Sequence, residues 1–245
     1  MKNIPVGLQL WSLRDDCARD FTATVAAVAK MGYAGVELAG YGNLDVKGVK
    51  AAVEAAHLKV SGLHVRVEDL RADLHRVIDD ALLLSTRYVI CPWLPDTLYL
   101  SPEACQEIGG ELNRMGATLR AYGLQFGFHN HNGELKTVGG RTVFEWMLGA
   151  AEPRNLVAEL DVYWANFAGV SPGAFLRGLG ARCPLIHLKD GKEIGLGPVN
   201  FTEVFAAIDS VGAAEWLIVE VEEYTKSPLE SVQQSFDQLR KWGRA

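Results

Sequence analysis

The 245-residue sequence is short of cationic charge, of cysteine and of long apolar runs, and each shortage removes a class of function. Lys and Arg number 24 against 30 Asp and Glu, a net charge of -6. No basic cluster interrupts that deficit. A nucleic-acid partner is therefore excluded, because such binding rests on neutralising phosphates with cationic side chains. The four cysteines, Cys17, Cys91, Cys105 and Cys183, are far apart and form no C-x-x-C pair, which argues against a zinc knuckle or a dithiol redox motif. They read as buried thiols. No segment reaches the roughly 18 consecutive apolar residues of a membrane-spanning helix. Met1-Lys2-Asn3-Ile4-Pro5-Val6-Gly7 carries one basic residue and then turns strand-like, without the apolar core and cleavage site of a signal peptide. The expectation is a cytoplasmic protein with no membrane partner.

What the sequence does have is regular alternation. Short apolar runs begin near Pro5, Ala34, Lys59, Arg87, Leu124, Asn155, Pro184 and Glu215, a spacing of about 30 residues that matches one strand-helix-strand unit. Between them, apolar residues recur at helical spacing: Val46, Val49, Val53, Ala56; Leu70, Leu74, Val77, Ala81; Ile108, Leu112, Met115, Leu119; Leu229, Val232, Phe236, Leu239. Ser101-Pro102, Ser171-Pro172 and Ser227-Pro228 read as helix starts. Gly32, Gly123 and Gly212 read as helix stops. Eight such units close most naturally into a single (β/α)8 TIM barrel domain over residues 1–245. The length suits one such domain without linkers.

The chemistry-bearing residues gather in the second half. Four successive strand ends carry polar residues two apart: His129 and His131, Glu159 and Asp161, His187 and Lys189, Glu220 and Glu222. Residues two apart share a face of a strand. In a barrel that face is the interior, where unpartnered ionisable groups are very costly. A divalent metal at the C-terminal mouth, where barrel active sites lie, would satisfy several of them at once. The structural alternative is that they pair with each other or sit in exposed turns. Lys189 suits either stabilisation of a substrate oxygen or an ion pair with Asp190 or Glu222. His64 suits a hydroxyl contact or a satisfied interior position, and Trp11 and Trp164 a sugar-facing wall or plain packing. Arg14 and Glu37 fall near strand ends. Gly195-Leu196-Gly197 is weak evidence for a phosphate cradle. His57 and His75 belong on solvated helix faces.

The strings Gly7-Leu8-Gln9-Leu10-Trp11-Ser12, Gly32-Tyr33-Ala34-Gly35-Val36-Glu37, Gly62-Leu63-His64-Val65, Phe128-His129-Asn130-His131-Asn132, Leu160-Asp161-Val162-Tyr163-Trp164, His187-Leu188-Lys189-Asp190 and Val219-Glu220 resemble the xylose isomerase-like TIM barrels, the sugar phosphate isomerase/epimerase superfamily. The resemblance covers nearly the whole chain. It implies one divalent ion (Mn2+, Mg2+, Co2+ or Zn2+) held by His129, Asp161, His187 and Glu220, one residue from each of the last four strands. It implies a small sugar or polyol substrate and an isomerase or epimerase activity, with a lyase of the inosose dehydratase or keto-glycoside eliminating type as the alternative. Homodimers and homotetramers are common among the resembling proteins. Glu220, or else Glu159, is the expected base, with Lys189 assisting. His64, His131, Trp11, Trp164, Glu37 and Glu222 are the expected substrate contacts. His129 departs from the resembling epimerases, which commonly place glutamate there and use two facing carboxylates. An apurinic-type nuclease would need more histidines than the six present. A non-catalytic sugar-binding barrel is the third reading.

Overall fold

The computed structural model describes residues 4–245, so Met1, Lys2 and Asn3 of the N-terminal reading lie outside the described residues. Eight strands, β1 (Val6–Gln9), β2 (Gly35–Leu38), β3 (Lys59–His64), β4 (Tyr88–Cys91), β5 (Gln125–His129), β6 (Val157–Asp161), β7 (Leu185–Lys189) and β8 (Trp216–Glu220), close into one parallel barrel. β8 returns to β1 through Val6 opposite Leu217. Each strand starts within two residues of the expected position.

Helices α1 (Arg14–Met31), α2 (Val46–Ala55), α3 (Val67–Ala72), α4 (Leu74–Leu83), α5 (Pro102–Ala121), α6 (Val143–Gly149), α7 (Val162–Phe167), α8 (Pro172–Leu179), α9 (Phe201–Val211) and α10 (Pro228–Lys241) connect the strands. Their apolar stripes bury Val49, Val53, Val77, Ile108, Leu112, Val232 and Phe236 in the main core. Ser101, Ser171 and Ser227 each accept a backbone N–H bond at a helix start with proline behind them. Gly32, Gly123 and Gly212 all have positive φ, as expected of helix ends.

One stripe needs correction. Leu70 through Ala81 is not one helix but two, broken at Asp73, whose backbone is non-helical (φ -157°, ψ 82°) and whose carboxylate accepts the Arg76 N–H. A short aspartate side chain competes well for backbone donors, so it starts a helix more readily than it continues one. A short hairpin pairing Thr137–Val138 with Arg141–Thr142 was not anticipated either.

The barrel interior is split by height. At its lower end Tyr88, Ile90, Val157, Leu185 and Ile218 form an apolar plug with Trp216 packed against it. Two residues further along β6, β7 and β8, the same inward face carries Glu159, His187 and Glu220, all buried. The period of two therefore converts from apolar to ionisable at one level of the barrel, and the plug forms the floor on which the polar cluster rests.

The capping reading is testable. Ser227→Ala and Asp73→Ala should each lower unfolding free energy by about 1 kcal/mol, measured as a drop in the urea midpoint at unchanged slope. A more stable Asp73→Ala protein would mean that the α3–α4 break is not held by this cap.

Candidate active site

β5 to β8 deliver His129, Glu159, Asp161, His187 and Glu220 to one buried cluster. β1, β2 and β3 add Gln9, Glu37 and His64. Gln9 is fixed first: its Oε1 accepts the Trp11 N–H (3.0 Å), which turns its Nε2 to donate to Glu37 Oε2 (2.7 Å). Glu37 fits because Gly62 faces it across the barrel wall; a β-carbon at Gly62 would lie 2.5 Å from Glu37 Oε1. His187 Nε2–H donates to the same Glu37 oxygen at 2.7 Å. His129 Nδ1–H donates to Glu159 Oε2 at 3.1 Å, and His64 Nε2 lies 2.9 Å from that oxygen.

Two histidines are thus each oriented by a buried carboxylate behind them. This is the arrangement that fixes tautomer and ring direction in metal-binding histidines. It leaves His129 Nε2 and His187 Nδ1 turned away from those carboxylates, the latter 3.4 Å from Glu220 Oε2. His129, Asp161, His187 and Glu220 offer ligand atoms all within 4.8 Å of one another. The set His64, His129, Glu159 and His187 meets the same criterion, but there the histidines are already paired with the carboxylate, His64 and His129 both bonding Glu159 Oε2 while its Oε1 lacks a partner among the described residues. In the first set, Asp161 Oδ1 accepts the Trp164 N–H (2.8 Å), while its buried Oδ2 has no partner among the described residues. An orphaned carboxylate oxygen facing two outward imidazoles and Glu220 is the donor set a divalent cation takes.

Electrostatics mark the same spot. Burial, and then the charge of Glu37, pushes Glu159 up to about 7. Burial also raises Asp161 to about 7, only partly offset by Lys189. Burial acts on Glu220 in the same sense, but Lys189 and His187 outweigh it and hold that carboxyl down to about 2. Burial, and then the neighbouring His187, keep His129 well below the usual imidazole range. Burial and Lys189 push His131 down to about 4. The protein's own cations therefore compensate Glu220 and leave Asp161 short of positive charge.

The cluster opens onto a cavity of about 700 Å3 at the mouth, lined among others by Gln9, Trp11, His64, His129, His131, Glu220 and Glu222. A second hollow of about 420 Å3 lies at the opposite end, beside Lys59, Arg87 and Trp216. Four of its five ionic groups pair among themselves, Lys50 with Glu54 and Arg87 with Glu215, and the C-terminal mouth is where barrel active sites lie.

The expected site residues divide accordingly. Glu220, His64, His131, Trp11 and Glu222 face the cavity. Glu37, expected there, is instead fully buried behind His187. Glu159 is likewise sealed behind His129. Trp164 stands off the cavity, its ring 5.0 Å from Lys189 Nζ and 5.4 Å from the His131 ring. Lys189 is buried and paired with Glu220 (3.2 Å) and with Glu222. Its alternative partner Asp190 is used elsewhere, accepting the N–H groups of Gly191, Gly195, Gly197 and Val199. Arg14 turns to the Trp11 carbonyl and the Tyr224 hydroxyl. Trp11 is 44% exposed, so it is wall and not core. His75 on α4 is exposed and the four cysteines are buried, as expected; His57 is exposed too, but in the turn after α2 with a positive φ and not on a helix.

Two contributors escaped the sequence reading. Gln9 carried a signal, a polar residue ending the otherwise apolar β1. Asn130 carried less; its Oδ1 accepts the Asp161 N–H (3.0 Å) and ties the ends of β5 and β6 together.

The fold is shared with solved enzymes. A sugar phosphate isomerase/epimerase from Parabacteroides distasonis ATCC 8503 is 23% identical, over 98% of this chain and 97% of that one, with a TM-score of 0.87. A D-allulose 3-epimerase from Methylomonas sp. is 14% identical over 98% of each chain, TM-score 0.77. The probable 3-DHS dehydratase AsbF of Bacillus anthracis, involved in petrobactin synthesis, is 13% identical over 97% and 99%, TM-score 0.75. No curated protein is matched by the sequence. The profile of the xylose isomerase-like TIM barrels matches residues 25–242, and the chain belongs to that family.

Proposed function

We propose that the protein is a divalent-metal-dependent isomerase or epimerase that moves a proton beside the carbonyl of a keto sugar or related polyol. One observation carries this reading: His129, Asp161, His187 and Glu220 converge within 4.8 Å, with Asp161 Oδ2 unpartnered, at the floor of a cavity large enough for a sugar. When bound there, Mn2+, Mg2+, Co2+ or Zn2+ would supply a Lewis acid that polarises a carbonyl and its neighbouring hydroxyl. Glu220 faces the cavity as a carboxylate, kept ionised by Lys189 and His187, and is positioned to accept the proton. Lys189, bridging Glu220 and Glu222, fixes the direction of that carboxylate. His131 is neutral, lines the cavity and has an unpartnered Nδ1, which suits it to handing a proton on. Glu159 and Glu37 act behind the site, as orienters of His129 and His187. The similar isomerase/epimerase and D-allulose 3-epimerase folds support this reading.

A lyase is the second reading, favoured by a specific observation. His129 stands where resembling epimerases carry a second carboxylate, and Glu222 is tied to Lys189 and to the Trp11 indole N–H (3.1 Å). One base is enough for elimination, in which a β-hydroxyl or glycosidic group leaves after the proton does. Incubation with keto sugars in heavy water separates the two: an isomer of equal mass supports the first, a dehydrated or cleaved product the second, and no deuterium uptake by any ligand supports a binding protein.

Four variants test the roles. Elemental analysis should find one metal ion per wild-type chain and essentially none in Asp161→Ala or His187→Ala, while Glu159→Gln should weaken binding by roughly 10–100-fold. Full occupancy in both alanine variants would remove the site. Glu220→Gln should cut deuterium exchange by roughly 100-fold or more, a larger loss than in metal affinity, because the amide keeps an oxygen but cannot accept a proton at neutral pH. Wild-type exchange in that variant would assign the base elsewhere.

A further inference from the structure

The cavity is lopsided. His129 and Glu220 line it from β5 and β8, but most of its wall comes from the β1 to β4 half: Trp11 after β1, Tyr41 after β2, Arg66 and Asp69 after β3, Arg76 and Asp80 on α4, Trp93 after β4. A volume of about 700 Å3 lies in the upper part of the ~300–1,000 Å3 range that takes drug-sized ligands, beyond what the dozen heavy atoms of a hexose fill. Two large aromatics stand at the two edges of this empty half, Trp11 44% and Trp93 49% exposed. Trp11 is pre-set as a platform. Its indole N–H holds Glu222, and the Arg14 guanidinium covers one ring face at 5.0 Å. The ring is therefore held in place with its other face unclaimed by Arg14.

The charges facing this space do not suit a phosphate. Arg66 is 3.3 Å from Asp69, and Arg76 is 3.3 Å from Asp80, which also accepts the Tyr41 hydroxyl at 2.9 Å. With Glu220 and Glu222, the lining carries two arginines against four carboxylates. Lys189 is consumed by Glu220 and Glu222. The glycine-rich loop after β7, the segment with the form of a phosphate cradle, already closes on an anion of its own: Gly195 and Gly197 donate to Asp190, and a β-carbon at Gly197 would lie 2.0 Å from that carboxylate. Paired arginines and aspartates with a tyrosine hydroxyl suit neutral hydroxyls, and broad indole faces suit the apolar face of a sugar ring.

We propose that the substrate is an uncharged glycoside, with its ketose unit, opened to the free carbonyl form, at His129 and Glu220 and a second sugar ring lying between Trp11 and Trp93. This deepens the isomerase/epimerase reading and rests on it. The test is calorimetric titration of the metal-loaded protein with three matched panels: ketohexoses such as fructose, their monophosphates, and disaccharides ending in the same ketohexoses, such as lactulose. A disaccharide should bind at least roughly tenfold more tightly than its ketohexose, about the contribution of one well-placed aromatic face, and the monophosphate no better than the ketohexose. Trp93→Ala should erase most of the disaccharide's advantage, losing more affinity for the disaccharide than for the monosaccharide. Equal binding of mono- and disaccharide, tightest binding of a monophosphate, an advantage untouched by Trp93→Ala, or no binding in any panel would overturn the proposal. Deuterium exchange on the same panels distinguishes the two failures. Exchange without a disaccharide preference sinks the glycoside proposal alone, whereas a disaccharide preference without exchange sinks the isomerase reading and leaves the two-ring site.

Discussion

Four carboxylates, Glu37, Glu159, Asp161 and Glu220, are buried together at the mouth of this barrel, and the rest of the structure is arranged around the cost of putting them there. Isolated buried carboxylates are among the most expensive groups a fold can hold. Three of the four are compensated internally: Glu37 by Gln9 and His187, Glu159 by His129 and His64, Glu220 by Lys189. Glu37, Glu159 and Asp161 each keep one buried oxygen without a partner among the described residues, but Asp161 is bonded only to a backbone N–H and has no side-chain partner. The histidines are aligned by the compensated carboxylates and turned toward the uncompensated one. That asymmetry gives the cluster a direction, which an ordinary ion-pair network lacks.

The loops beyond the strands keep this geometry in place without taking part in it. Asp190 gathers four N–H groups of the loop after β7. Buried Glu193 accepts from the Thr225 backbone and hydroxyl and from Ser231, which joins that loop to the segment leading into α10. Asn130 joins β5 to β6. Each accepts a backbone N–H that would otherwise be stranded. Together they hold the upper rim of the β5–β8 half, which carries the proposed cation ligands. The β1–β4 half carries the wide part of the cavity.

The repeating pattern of the sequence was enough for the barrel, because period two and period 3.6 are local and each unit repeats them. It was enough for the inward polar residues of β5 to β8, because two-residue spacing on a strand directly states which side chains share a face. It failed where a side chain's role depends on its neighbour across the barrel. Glu37 and Glu159 look alike in sequence to Glu220, and only the three-dimensional placement shows them behind histidines instead of facing the cavity. Lys189 looked equally able to pair with Asp190 or with Glu222; the adjacent residue points the other way along the chain, so the partner is the one across β8. The break at Asp73 was legible as chemistry, an aspartate in a helical stripe, but its apolar neighbours Leu70 and Leu74 kept the spacing of one continuous helix. Gln9 was part of a quoted string, yet a single amide gave no hint of the carboxylate it supports.

The central claim is that the aligned histidines and the orphaned Asp161 oxygen define one cation site and that the carboxylates behind them do not. Crystals grown with Mn2+ and measured for anomalous scattering test it most directly. The account predicts a single strong peak enclosed by His129, Asp161, His187 and Glu220, with Glu37 and Glu159 still bonded to His187 and His129. A peak centred instead among His64, His129, Glu159 and His187, or Mn2+ bound only outside the barrel mouth, would contradict it.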